Sequence, residues 1–200
     1  MPDSNCILLR LTPFRENTVI AASLSPTFGR LDLFLPGVKK TGKKQFPSVG
    51  LFRELYVDFR LPKDNSTLCT PRTIDVLRIH DSLVENTRNY MAVCSLAAFL
   101  LRNSRFMVEL PRTYQALSVL LQKCAAAKDD LTSFFPYVKL VFLHENGFVS
   151  VPPEKQKTLD LIFSFALGLT PDPPGFSTAY YGRLVQWIDA LIHLHCNQEV

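Results

Sequence analysis

The sequence predicts an α+β chain in two parts: an N-terminal five-stranded β-barrel over residues 1–80 and an all-helical part over residues 81–200. Three observations predict it. Before residue 80 the apolar runs are short, separated by turn residues, with no helical period between them. Beyond it, apolar positions recur at helical spacing between recognisable start and stop signals. Charge divides at the same place: residues 1–80 carry 12 Lys+Arg against 7 Asp+Glu, a net of +5, while residues 81–200 carry 10 against 11, a net of −1.

Residues 6–11 read as a first strand, broken at Thr12-Pro13. Residues 18–24 make a second, β-branched at its start. Ser25-Pro26-Thr27-Phe28-Gly29 is a turn, in which Gly29 supplies a positive φ. Residues 31–35 form a third strand that ends at Pro36-Gly37, residues 51–59 a fourth, and residues 67–76 a fifth after a polar turn. So many short strands in this span indicate a small antiparallel barrel or sandwich. The five-stranded oligonucleotide-binding barrel suits the size.

The first helix is expected over residues 81–102, with Asp81 or Ser82 as N-cap and a buried stripe of Leu83, Met91, Cys94, Ala98 and Leu101. Pro111 opens a second helix that runs to about Lys128. Asp129-Asp130 reads as an N-cap with an acidic first turn for a third helix over residues 131–145, stopped by Asn146-Gly147. Pro152-Pro153 opens a fourth that ends before Pro171, and residues 177–196 make a fifth. The linkers are short, so the helices should pack as one bundle against the barrel.

With 47% hydrophobic and 20% charged residues, the 200-residue chain has the composition of an ordinary globular protein. No run reaches the roughly eighteen apolar residues of a membrane helix. Met1-Pro2-Asp3-Ser4-Asn5 lacks the basic start and apolar core of a signal peptide, so no membrane partner and a cytoplasmic location are expected. The five cysteines (Cys6, Cys69, Cys94, Cys124 and Cys196) are scattered and set in apolar surroundings, which favours buried thiols over disulfides. His193, His195 and Cys196 lack a second ligand pair upstream, so no metal is expected there. His80 and His144 stand alone beside helical segments and read as satisfied, partly buried side chains.

Chemistry concentrates in Gly37-Val38-Lys39-Lys40-Thr41-Gly42-Lys43-Lys44, with four lysines, two glycines and no acid between two strands. Lysine is a point charge that needs no fixed angle, so Lys39, Lys40, Lys43 and Lys44 suit contact with phosphates; a solvated basic hairpin is the alternative. Arg30 follows the turn glycine, where its guanidinium either holds a phosphate bidentately or pairs with Asp32 on the same strand face. Arg10 and Arg15 flank the first strand connection. Phe14 and Phe28 sit at turns and are candidates for base stacking, or for plugs of a barrel end. No nucleophile elbow, P-loop, zincin or dinucleotide fingerprint occurs, so a binding protein rather than an enzyme is expected, with no cofactor.

Several segments resemble the bacterial RecO family of recombination mediators in DNA repair. They are Arg15-Glu16-Asn17-Thr18, Ser25-Pro26-Thr27-Phe28-Gly29-Arg30, Gly37-Val38-Lys39-Lys40, residues 47–55, and Phe142-Leu143-His144-Glu145-Asn146-Gly147-Phe148. The resemblance runs through residues 8–148. It implies an oligonucleotide-binding barrel joined to a helical domain, binding of single- and double-stranded DNA, and annealing of strands coated by single-strand binding protein. It implies RecR as a partner in loading RecA. It also implies a groove in the helical domain for the acidic C-terminal tail of single-strand binding protein, with Arg112 or Lys139 at its rim. Many members carry a four-cysteine zinc module after the Gly-aromatic turn; here Val149-Ser150-Val151-Pro152-Pro153 follows, so zinc is not expected. The rival function is an interaction adaptor whose barrel does not bind nucleic acid.

Overall fold

The computed structural model describes residues 2–36, 49–62 and 67–196, with only the backbone of Arg15. Five strands come first: β1 (Asp3–Arg15), β2 (Thr18–Ser25), β3 (Gly29–Pro36), β4 (Glu54–Arg60) and β5 (Leu68–Arg78). They close into a barrel in the order β1-β2-β3-β5-β4. All neighbours are antiparallel except β3 and β5, where Asp32 lies opposite Leu68 and Leu33 opposite Cys69 in parallel. The expected small barrel is thus antiparallel at four of its five pairings. A ring with an odd number of strands cannot alternate direction all the way round, so one neighbouring pair must run parallel. Order and directions are compatible with the oligonucleotide-binding barrel.

Period-two burial along the strands builds two cores. Leu31, Leu33 and Leu35 of β3 point inward with Leu55, Val57 and Phe59 of β4 and fill the barrel. Ile7 and Leu9 of β1 and Ala22 and Leu24 of β2 point outward, yet they are buried because the helices cover that face. The first strand does not break at Thr12-Pro13. It continues to Arg15, with a bulge between Pro13 and Arg15 that accommodates the missing proline N–H.

The helices are α1 (Thr87–Asn103), α2 (Pro111–Ala126), α3 (Phe135–Glu145), α4 (Pro153–Ala166) and α5 (Thr178–His195). Residues 81–85 form a 3-10 turn, and α1 starts later than expected, capped by Asn86, whose side chain accepts from the Asn89 N–H at 3.1 Å. Its buried stripe is Val93, Leu96, Ala97, Leu100 and Leu101, while Met91 is 62% exposed and Ala98 also faces solvent. This corrects the expected stripe: α1 is apolar around most of its circumference, so spacing alone leaves its rotation open. Asp130 accepts from the Thr132 N–H at 2.8 Å just ahead of a short 3-10 turn over residues 132–134, whose N-cap position is Leu131, and α3 follows. Gly147 ends α3 at φ 76°, and the Phe148 N–H reaches back to the Leu143 carbonyl at 2.9 Å.

Residues 104–110, between α1 and α2, lock the helices to the barrel. The Arg30 N–H donates to the Arg105 carbonyl (3.2 Å), Met107 N–H to Phe28 (2.9 Å) and Leu110 N–H to Pro26 (2.9 Å). Gly29 makes this approach possible: at φ 62°, a Cβ there would lie 2.2 Å from the Val108 oxygen and 2.5 Å from the Arg105 oxygen. A second lock is polar. Glu54, 1% exposed, accepts from Ser118 Oγ on α2 at 2.7 Å, His80 Nε2 at 3.1 Å and Arg78 at 2.9 Å. A carboxylate only accepts, so His80 Nε2 carries a proton.

Candidate nucleic-acid interface

Register places Arg10 of β1, Ala22 of β2 and Asp32 of β3 in one row on the outer face of the barrel. The next row is Thr12, Ile20 and Phe34. Where α1 stops covering this face, a cleft of about 390 Å³ opens between barrel and helix. Arg10, Arg30 and Arg102 stand around it, over a floor of Leu51, Phe52 and Ala98. The sequence had singled out Arg10 and Arg30. Arg102, the basic residue in the last turn of α1, carries no sequence signal for this place, because nothing local ties it to a strand about ninety residues earlier.

The three arginines are not equivalent. Arg30 is gripped by Asp32 in a bidentate pair at 3.2 and 2.9 Å and donates to the Leu101 carbonyl at 3.2 Å. Its charge is thus largely matched, and it fastens the end of α1 to β3. Arg10 and Arg102 are exposed, with no hydrogen bond or ion pair among the described residues. Of the three arginines around the cleft, these two carry charge that no described residue matches.

Phe14, 51% exposed, packs edge-on against Phe34 with ring centroids 6.2 Å apart, so an aromatic pair lies on the same outer face. Phe28 sits differently. It is half-buried, edge-on to Phe59 at 5.2 Å, and closes one end of the barrel with Phe106. Lys39, Lys40, Lys43 and Lys44 and the side chain of Arg15 lie outside the described residues. The described chain leaves β3 at Pro36 and resumes at Val49.

In the helical part, Arg112 and Lys139 each lie over a different aromatic ring. Arg112 stacks over Phe163 at 4.9 Å and donates to His144 Nδ1 at 3.5 Å, while Lys139 lies over Phe99 at 5.7 Å. Burial first, then the adjacent Arg112 charge, holds the His144 pKa below its ordinary value, favouring the neutral ring that accepts this bond. A groove of about 280 Å³ does exist between α3, α4 and α5, walled by Leu159, Leu184 and Trp187 with Lys155 and Arg183 on it. The single tryptophan of the chain was the signal available for it.

Among the described residues no group of three or more His, Cys, Asp and Glu side chains is placed to hold a metal ion. His195 stacks flat on Phe148 at 4.8 Å. Among the same residues, no helix is long and apolar enough to cross a membrane. The chain matches no known family model, and no curated protein matches it at a significant level.

Proposed function

We propose that this chain is a non-enzymatic DNA-binding and strand-annealing protein of RecO type, acting in repair and recombination. The observation that carries the reading is the outer barrel face, where unpartnered Arg10 and Arg102 flank a cleft beside the Phe14–Phe34 pair. In barrels of this topology the face of the second and third strands and the adjoining loops hold oligonucleotides. The excess positive charge of residues 1–80 adds an attraction that is independent of base sequence. On this reading the barrel holds two strands through their phosphates close enough to pair. The apolar groove carrying Lys155 and Arg183 takes the acidic tail of single-strand binding protein and brings the molecule to coated strands. RecR completes the partnership, and the protein works in the cytoplasm without a cofactor.

An adaptor that binds no nucleic acid has one observation in its favour, the pairing of Arg30 with Asp32, which removes one candidate cation. Salt dependence separates the two. Filter binding of single- and double-stranded oligonucleotides at two salt concentrations should show affinity falling steeply with salt. Changing Lys39, Lys40, Lys43 and Lys44 to alanine removes up to four phosphate contacts, so the log–log slope on duplex should fall by roughly two to four. Unchanged annealing by this variant, with its melting temperature intact, favours the adaptor.

A further inference from the structure

We propose that the cleft between the barrel's outer face and α1 seats one unpaired nucleotide of a single DNA strand, its base on the apolar floor and its flanking phosphates on Arg10 and Arg102. This rests on the nucleic-acid reading above and deepens it, because surface cations alone grip paired and unpaired strands alike. The cleft adds shape. At about 390 Å³ it falls within the roughly 300–1,000 Å³ range of small-molecule sites, enough for a base with its sugar.

Its chemistry matches such an occupant on both sides. The floor of Leu51, Phe52 and Ala98 offers apolar surface to a ring, and the guanidinium groups at the edge offer charge to the phosphates that precede and follow it. A purely apolar ligand would leave Arg10 and Arg102 unanswered, and a bare phosphate would leave the floor wet. The floor is also rigid. Phe52 is a non-glycine residue at φ 62°, held by its N–H on the Leu8 carbonyl at 2.8 Å and by its ring against Tyr90 at 6.0 Å. A residue in that conformation persists only where its surroundings over-determine it, and such positions cluster at ligand clamps. A base within a duplex is stacked and paired, so entering this recess requires it to leave the helix first. The cleft therefore discriminates in favour of single strands.

Cys94 provides the test: it is half-buried in the wall of this cleft, Cys6, Cys69 and Cys124 are buried, and Cys196, also half-buried, sits at the end of α5 outside the cleft lining and serves as the internal control. The full chain is alkylated with iodoacetamide, alone or loaded with oligothymidylate or a duplex, and the modified cysteine is mapped by mass spectrometry. With free oligothymidylate at several times its Kd, Cys94 alkylation should slow at least about fivefold, since the open fraction falls as 1 + [L]/Kd, and an equal loading of duplex should not slow it. In parallel, Ala98→Trp fills the recess from an exposed helix position without touching a charge. It should keep the wild-type melting temperature, lower single-strand affinity about tenfold and leave duplex affinity unchanged. If both nucleic acids bind but Cys94 reacts at the same rate with oligothymidylate as without it, the nucleotide seat is wrong and the nucleic-acid reading survives. Equal protection by duplex, or equal weakening of both ligands in Ala98→Trp, overturns the seat in the same way. If neither nucleic acid binds at low salt, the reading of the barrel fails and this inference falls with it.

Discussion

Replacing Glu54 by leucine should destabilise the protein by about 2–5 kcal/mol, a large share of the roughly 5–15 kcal/mol that holds a typical domain together. The magnitude follows from what the carboxylate leaves behind. His80 is 4% exposed and Ser118 is 6% exposed, so the His80 Nε2–H and the Ser118 O–H both lose their acceptor in a place water does not reach, although Ser118 Oγ still accepts from Gln122 Nε2 at 3.0 Å. Each orphaned polar group costs about 1–3 kcal/mol. Arg78, with a side chain 54% exposed, rehydrates and adds little. Urea unfolding should show a lower midpoint with an unchanged slope. Adding Ser118→Ala removes one orphan and should recover about 1 kcal/mol, an improvement from a second deletion. The pH dependence has a definite sign. Burial raises the Glu54 pKa, but hydrogen bonds from His80, Ser118 and Arg78 outweigh it and hold it below the ordinary 4.5. A lowered folded-state pKa contributes stability above the unfolded value and loses it as pH falls through the folded one. The gap between wild type and Glu54→Leu should therefore narrow below about pH 4.5. A Glu54→Leu protein within about 0.5 kcal/mol of wild type, or a further loss on adding Ser118→Ala, would refute this account.

Gly29→Ala should cost about 2 kcal/mol or more, since it combines a φ of 62° with a Cβ pressed onto backbone oxygens of residues 105 and 108; thermal unfolding measures it. Glu145→Ala should cost about 1–2 kcal/mol in the same assay, because its carboxylate caps α2, accepting from the Arg112 N–H and Thr113 N–H at 2.8 Å each. Elemental analysis of the purified protein should find no stoichiometric zinc; one zinc per chain would direct attention to His193 and Cys196.

The division into barrel and helices was legible in the linear chain, because the signals that set it act over a few residues. Period-two burial in β3, the turn ending at Gly29, prolines opening α2 and α4 and the stop at Gly147 each work through local dihedral and hydrogen-bond preferences. Candidate cations were legible as residue types, and Asp32 was visible as the competing partner of Arg30. Their arrangement was not. Arg30 meets Leu101 across 71 positions, and Glu54 meets Ser118 across 64. Contacts at such separations leave no periodic trace, since any of several rotations of α1 would satisfy its nearly all-round apolar surface. Packing of Val93, Leu96 and Leu100 onto Ile7, Leu9 and Leu24 chose one rotation. That choice exposed Ala98, brought Arg102 beside Arg10, and left between them a cleft that belongs to neither the barrel nor the helix alone.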